Sequence, residues 1–154
     1  MGREIERKFL VEGDDWRSLT QGTTYRQGYL NTAKERTVRI RSAGSRGFIT
    51  VKGPATGAAR AEYEYEIPAE DADAILDELC EKPIIEKIRY RIGLGKHTWE
   101  VDEFLGENAG LIIAEVELSH EDEPFERPPW LGREVTGDPG YFNSNLVRNP
   151  YKKW

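Results

Sequence analysis

Charged residues of like sign recur at every second position in six short segments of the sequence. Residues two apart in a β-strand project to the same face, so each segment predicts a strand with one ionised face. Like charges at this spacing repel one another unless counter-charges or a ligand offset them. The acidic rows are Glu4/Glu6, Glu62/Glu64/Glu66, Glu100/Asp102 and Glu115/Glu117; the basic rows are Arg39/Arg41 and Lys87/Arg89/Arg91, with Lys8 following the first acidic row and Lys52 as a further candidate.

Acidic and basic rows that face one another could bind a polyanion together with divalent cations. Arginine and lysine pair with phosphate oxygens, and carboxylates are the oxygen ligands that Mg²⁺ and Mn²⁺ prefer. A triphosphate with its metal ions would neutralise both kinds of row, which matters because an unpaired buried ion is costly. The alternative is an ordinary sandwich with solvated charged faces, which is common for antiparallel sheets.

The composition excludes several other kinds of site. One cysteine, Cys80, and two histidines, His97 and His120, cannot build a disulfide framework, a CxxC site or a His-rich zinc site. The formal net charge of −6 offers no net positive field for a long nucleic acid, so a nucleic-acid partner is disfavoured. The N-terminus has no apolar signal stretch, and no run approaches the ~20 apolar residues of a membrane helix. We expect a cytoplasmic protein without a membrane partner, present as a monomer or homodimer.

Alternation of apolar and polar residues predicts about eight strands and one clear helix. The strands are expected at 4–11, 25–30, 37–41, 48–52, 62–67, 86–92, 98–104 and 112–118. The helix is expected between Pro68 and Pro83, with Ala72, Ile75, Leu76, Leu79 and Cys80 on its apolar face. Residues 15–19 and 140–146 are weaker helical candidates. No linker or repeat divides the 154 residues, which predicts one domain, 1–154, of mainly β (α+β) class.

The faces opposite the charged rows predict a dry side for each strand. They carry apolar residues such as Ile49/Val51, Tyr63/Tyr65 and Trp99/Val101. If the sheet closes into a barrel of about eight strands, the charged rows face a lumen wide enough for one small ligand.

The order of these motifs is similar to that of the CYTH domain, the triphosphate tunnel metalloenzyme superfamily. The likeness begins with Glu4-Ile5-Glu6-Arg7-Lys8, which matches the ExExK signature, and covers nearly the whole chain. It continues through Tyr25-Arg26-Gln27-Gly28-Tyr29-Leu30, Arg39-Ile40-Arg41, Thr50-Val51-Lys52-Gly53, Glu62-Tyr63-Glu64-Tyr65-Glu66, Glu86-Lys87-Ile88-Arg89-Tyr90, Trp99-Glu100-Val101-Asp102, Ala114-Glu115-Val116-Glu117 and Gly132-Arg133-Glu134-Val135-Thr136. The resemblance implies an eight-stranded antiparallel β-barrel or tunnel with a few peripheral helices, whose lumen binds a triphosphate and a divalent metal, Mg²⁺ or Mn²⁺.

The resemblance also implies roles for individual residues. The implied phosphate binders are Lys8, Arg39, Arg41, Lys52, Lys87 and Arg89. The implied metal ligands, or residues that support the ligands, are Glu4, Glu6, Glu64, Asp102, Glu115 and Glu117. Two hypotheses for activation of the attacking water stay open. A metal ion near Glu115 and Glu117 activates it, or a lysine of lowered pKa is the general base, either Lys52 beside Tyr29 or Lys87.

The activity expected from the resemblance is metal-dependent hydrolysis of a short triphosphate, above all inorganic tripolyphosphate, to pyrophosphate and phosphate. Thiamine triphosphatase and class IV-type adenylate cyclase activities remain alternatives within the same family. A cyclase must also hold adenine and ribose, and no segment is clearly assigned to base recognition. A module that binds polyphosphate or nucleotides without turnover is an alternative of a different class.

Overall fold

A computed structural model describes residues 2–154 of the chain, which form nine strands and two α-helices. The strands are β1 (Arg3–Val11), β2 (Thr23–Asn31), β3 (Thr37–Ala43), β4 (Arg46–Lys52), β5 (Ala59–Ile67), β6 (Ile85–Leu94), β7 (His97–Phe104), β8 (Ile112–Glu117) and β9 (Leu131–Glu134). The helices are α1 (Ala69–Glu78) and α2 (Asn143–Arg148), and short 3-10 helices lie at Asp15–Ser18, Gly106–Asn108, Pro139–Tyr141 and Tyr151–Lys153. Within the described part of the chain, no helix has the length and apolar character needed to cross a bilayer.

Eight antiparallel strands close into a barrel in the order β1, β5, β4, β3, β2, β6, β7, β8 and back to β1. The closing contact joins the start of β1 to β5, where Glu4 pairs with Arg60. The eight-stranded antiparallel barrel expected from the sequence is therefore confirmed. The ninth strand, β9, pairs with β1 and was not predicted, because its four residues, LGRE, are too few to show an alternating pattern.

Two of the three hydrophobic cores lie outside the barrel, and one lies at its end. The first core contains Trp16 and Trp99 against the outer faces of β1, β7 and β8. The second joins Phe104 to Leu146 of α2 at one end of the barrel, because Phe104 shares the inward face of β7 with Asp102. The third places Leu76 of α1 on the outside, against β3 and β4. Elsewhere the inward residues of the strands are mostly polar or charged.

Helix α1 follows the predicted pattern except at its end. Ala72, Leu76 and Cys80 are buried against the sheet, as expected. Leu79 is 66% exposed, so its assignment to the apolar face was wrong. The helix ends at Glu78, and Leu79 has left the α-helical conformation (φ −123°), which turns its side chain away from the face set by the helical period.

The outer face of β4 and β5 also differs from the prediction. Tyr63 and Tyr65 are 52% and 64% exposed, and Val51 is 38% exposed, so this face is not dry. The third core covers Ile49 and Ile67 at one end of the two strands, but α1 does not extend over the other end.

Glycine at position 47 allows α1 to pack closely on β4. A Cβ atom there would lie 2.7 Å from the Ala72 Cβ and 3.2 Å from two backbone oxygens. We expect Gly47→Ala to lower the free energy of unfolding by about 1–3 kcal/mol through overpacking. Gly93→Ala on β6, where a Cβ meets no described atom within 4 Å, is the matched control and is expected to change it by less than about 0.5 kcal/mol. Urea denaturation measures both, and equal losses would contradict the packing argument.

Candidate active site

The barrel encloses a cavity of about 260 Å³ whose walls are mostly charged side chains, and all eight barrel strands contribute to it. The residues to which the resemblance assigns a role line this cavity, with the exception of Asp102: Glu4, Glu6, Lys8, Tyr29, Arg39, Arg41, Lys52, Glu64, Lys87, Arg89, Glu115 and Glu117. Glu62, Arg91 and Glu100 of the charged rows line it as well. The inward rows thus come together in one space, as expected for a barrel rather than for a solvated sandwich.

The acidic wall is formed by β1 and β8. Glu6 is deeply buried, and burial, followed by the charges of Glu115 and Glu4, raises its pKa well above the ordinary value. Glu115 shares a hydrogen bond with Glu6, and although burial opposes it, Lys8 and this bond hold the pKa of Glu115 well below its usual range. The two pKa shifts have opposite directions, so a proton held between these two carboxyl groups favours Glu6. Burial, then Glu4, also raises the pKa of Glu117.

Lys52 lies on the acidic side of the cavity. Its Nζ is 3.0 and 3.2 Å from the two carboxylate oxygens of Glu4 and 3.5 Å from Glu62. Burial raises the pKa of Glu4, but Lys52 outweighs it and the net pKa is lowered. Tyr29 also lines the cavity, yet within residues 2–154 it makes no hydrogen bond with Lys52, so the pairing of these two residues stays a prediction.

The basic wall begins with two arginines of β3. The Nη2 of Arg39 donates to Thr50 Oγ1 at 3.1 Å and to Glu64 at 3.3 Å. Arg41 donates to Gln27 Oε1 at 3.1 and 3.2 Å. Burial, then the cations Arg39 and Arg89, lowers the pKa of Arg41 to about 10. Cations held this close together would be stabilised further by an anionic ligand.

An ion-pair cluster on β6 and β7 completes the basic wall. Arg89 binds Asp102 in a bidentate manner at 2.7 and 2.8 Å, and Lys87 Nζ lies 2.8 Å from the same carboxylate. Asp102 is fully buried and does not line the cavity. Both of its oxygens are taken by these cations, so its geometry is that of a supporting residue behind the wall and not of a direct metal ligand.

Lys87 is the lysine whose environment suits a general base. Burial, then the nearby Arg89 and Arg41, lowers the pKa of Lys87 to about 7 although Asp102 acts in the opposite direction. A base with a pKa near the working pH is the efficient choice for proton transfer. Its side chain is 1% exposed, and its Nζ also donates to Asn143 Oδ1 at 2.9 Å.

Several lining residues were missed by the sequence analysis. Arg60 continues the inward row of Glu62 and Glu64, but the predicted strand began two residues too late to include it. Phe142 and Asn143 reach the cavity from the turn that begins α2, and an isolated pair outside a periodic segment gives no sequence signal. Phe142 lies under Lys8 and Arg60, with cation to ring-centroid distances of 5.4 and 5.7 Å.

The acidic wall fits a divalent cation by the chemistry of its donors. Glu4, Glu6, Glu115 and Glu117 supply only oxygen ligands, and burial, followed by neighbouring carboxylates, raises the pKa values of Glu6 and Glu117. Among residues 2–154, no three acidic, cysteine or histidine side chains are already arranged as a finished metal site. Lys52 contacts both oxygens of Glu4, so an ion that uses Glu4 would share or compete for this carboxylate with the lysine.

Comparison with known families and proteins gives a consistent result. The CYTH domain family matches residues 2–151. A protein of Acetivibrio thermocellus named inorganic triphosphatase is 58% identical over 154 residues, which span 100% of this chain and 99% of the relative. A second inorganic triphosphatase, from Nitrosomonas europaea, is 38% identical over 148 residues, covering 94% of this chain and 96% of the relative.

A solved structure shares the fold as well. The crystal structure of an inorganic triphosphatase superposes with a TM-score of 0.67 at 34% identity, covering 94% of this chain and 93% of that one. Sequence and fold therefore agree across nearly the whole length of the chain.

Proposed function

The chain belongs to the CYTH domain family, and from this membership and the charges of its tunnel we propose that it hydrolyses inorganic tripolyphosphate to pyrophosphate and phosphate with a divalent metal ion, Mg²⁺ or Mn²⁺. The observation that carries the proposal is the confinement of opposite charges in one cavity. Arginines and lysines of β3 and β6 lie on one wall, and four glutamates of β1 and β8 lie on the other. The two relatives named inorganic triphosphatase support the same activity.

A buried donor in the basic wall supports binding of an anion. The Nε of Arg39 is buried and has no hydrogen-bond partner among the described residues. Buried polar groups are nearly always paired, and an unpaired guanidinium N–H is matched best by a carboxylate or phosphate oxygen. A phosphate oxygen at Arg39 would satisfy this donor.

The cavity favours an inorganic substrate over a nucleotide. Its aromatic side chains are Tyr25, Tyr29, Phe48 and Phe142. Tyr25 has the guanidinium groups of Arg41 and Arg89 at 5.0 Å from its ring, Phe48 has Arg46 at 5.1 Å, and Tyr29 packs in the second core. Phe142 is covered by Lys8 and Arg60 as described, so these rings offer no free platform on which a base could stack.

The residues of the chain divide the work of hydrolysis between the two walls. Arg39, Arg41 and Arg89 neutralise the phosphate oxygens and hold the chain of phosphates in line for displacement. A divalent ion held by Glu4, Glu6, Glu115 and Glu117 would add further charge neutralisation at those oxygens. Lys87, with its pKa of about 7, accepts a proton at Nζ, and Lys52 is the alternative acceptor.

The experiment is phosphate release from tripolyphosphate, ATP and thiamine triphosphate, each with Mg²⁺, Mn²⁺ or EDTA. We expect selective turnover of tripolyphosphate that EDTA abolishes. Accumulation of cyclic AMP from ATP would instead indicate a cyclase, and preference for thiamine triphosphate would indicate that phosphatase. Absence of turnover with every substrate, in protein shown by circular dichroism to be folded, would leave a non-catalytic binding module.

We also propose a cellular location, a domain organisation and an oligomeric state for the enzyme. We place it in the cytoplasm as one domain, which a chain with a single cysteine fits because disulfides are avoided there. Light scattering on the same preparation distinguishes the monomer from the homodimer.

A further inference from the structure

We propose that Asn143 is a positioning residue for Lys87: its side-chain oxygen, together with Asp102, orients the Lys87 Nζ so that the remaining tetrahedral position of this nitrogen faces the substrate. The inference rests on the proposed hydrolysis and adds a residue from α2 to a site otherwise built by strands. Asn143 belongs to none of the charged rows and to none of the family motifs.

The hydrogen bonds of Lys87 leave one direction free. A lysine ammonium has three N–H donors. Lys87 Nζ donates one of them to Asn143 Oδ1 at 2.9 Å and forms an ion pair with Asp102 Oδ2 at 2.8 Å. Because Nζ is tetrahedral and the side chain is 1% exposed, these two contacts restrict where the remaining position points, and Lys87 lines the cavity. That position carries an N–H when Lys87 is charged and a lone pair when it is neutral.

The orientation of the Asn143 amide is determined by its neighbours. Arg41 can only donate, so the oxygen of Gln27 must face Arg41 and its nitrogen must face Asn143. Gln27 Nε2 then donates to Asn143 Oδ1 at 2.8 Å, at the same oxygen that accepts from Lys87. A chain of hydrogen bonds thus runs from β3 through β2 to α2 and β6, and its Arg41 end is an obligate donor, which fixes the direction of every bond in it.

The backbone that carries Asn143 is held from two sides. Leu146 and Val147 of α2 are buried in the second core, at 0% and 4% exposure. The preceding residue, Phe142, packs under Lys8 and Arg60 on the β1–β5 side of the barrel, which lies opposite the β2–β6 side that Asn143 contacts. A side chain supported in this way can hold a neighbouring group to the tolerance that catalysis needs.

Three substitutions at this position separate a hydrogen-bonding role from mere occupation of space. Asn143→Ala removes the acceptor and is expected to lower kcat for tripolyphosphate roughly 10- to 100-fold, the cost of misplacing a reacting group by ~1 Å. Asn143→Asp keeps an oxygen that can accept from both Lys87 and Gln27, so it should restore most of the rate at its own pH optimum. Asn143→Leu fills similar space without an acceptor and should behave like alanine.

Asn145→Ala is the matched control, because Asn145 lies on the same helix and its amide bonds to Pro139 O instead of to the tunnel. It should retain the wild-type kcat, and thermal denaturation confirms that each variant is folded. Equal rescue by leucine and aspartate, an unchanged kcat in Asn143→Ala, or an effect on KM alone would overturn the inference. A wild-type protein without tripolyphosphate turnover would overturn the proposed function instead, so the two failures are distinguishable.

Discussion

Asn in place of Asp102 is expected to lower the free energy of unfolding by about 3–5 kcal/mol, the usual cost of removing one partner from a buried ion pair. Asp102 is fully buried and binds both Arg89 and Lys87, so little solvent screening reduces this effect. The substitution keeps the size of the side chain, which leaves loss of charge as the main change. Arg89 would then remain buried without its paired carboxylate, and activity should fall as well because Arg89 and Lys87 both line the cavity.

The loss of stability in Asp102→Asn should become smaller as the pH falls. Burial alone would raise the pKa of Asp102, but Arg89 and Lys87 hold it at about 2, below the ordinary value of 3.8. A carboxyl whose pKa is lowered by folding stabilises the protein above its unfolded pKa, and this stabilisation is lost as the pH falls. The difference between wild type and Asp102→Asn should therefore be full at pH 5 and above and should shrink as the pH falls from about 4 to about 2.

Urea denaturation at several pH values measures this prediction. Asp77→Asn is the matched control, because Asp77 pairs with Arg26 at the surface with 66% of its side chain exposed. Surface ion pairs contribute little, so the control should change stability by no more than about 1 kcal/mol. If Asp102→Asn cost no more than this control at pH 7, the ion-pair cluster would not support the basic wall in the way described.

Glu6→Gln is expected to lower activity without lowering stability. Turnover of tripolyphosphate should fall roughly 10²- to 10³-fold, the range seen when one electrostatic contact at the reacting centre is removed. Stability without added metal should be unchanged or higher, because the raised pKa of Glu6 means that folding disfavours its charged form, and a neutral glutamine amide can donate to Glu115. An acidic residue whose removal costs activity but no stability is held in place for a ligand.

The stability difference should again follow pH, now in the opposite direction. The folded protein holds the Glu6 proton above the ordinary pKa of 4.5, where the unfolded chain releases it. Stability associated with Glu6 is present below pH 4.5 and is lost as the pH rises toward the folded pKa. Glu6→Gln removes this titration, so the stability of the variant relative to wild type should increase from pH 4.5 upward.

Thermal denaturation in EDTA and phosphate release with Mg²⁺ are the two measurements for Glu6. Glu12→Gln, an exposed position just beyond β1, is the control and should leave both unchanged. Near-full turnover of Glu6→Gln at saturating metal would remove Glu6 from the proposed metal site. A large loss of stability without metal would contradict an environment that disfavours the charged form of Glu6.

The charged rows of the barrel could be predicted because their signal is local. Glu4 and Glu6, or Arg39 and Arg41, share a face whenever the segment is extended, whatever the rest of the chain does. Alternation shows that the two faces of a strand differ, but not which face another element will cover. Tyr63 and Tyr65 were therefore placed in a dry face that the fold leaves open.

Contacts between distant segments were beyond this kind of prediction. The sequence predicts that Asp102 lies in an inward row. It does not show that Asp102 is buried behind the cavity wall, because this depends on the contacts with Lys87 and Arg89 of β6. Asn143 lies 56 positions from Lys87 and 116 from Gln27, in a short helix without a clear period. Only the three-dimensional structure brings these residues together.

The position of β1 has a consequence for how the chain folds. This first strand pairs with β5, β8 and β9, and its Lys8 N–H donates to Thr136, 128 positions away. During synthesis β1 is made before all of these partners, so its hydrogen bonds are complete only after Thr136 has been added. Such long sequence separations slow folding, and an unpaired strand is open to association with other chains in the meantime. The charged residues of β1 should disfavour such association, because charged side chains on an unpaired strand oppose pairing with another chain until the barrel closes.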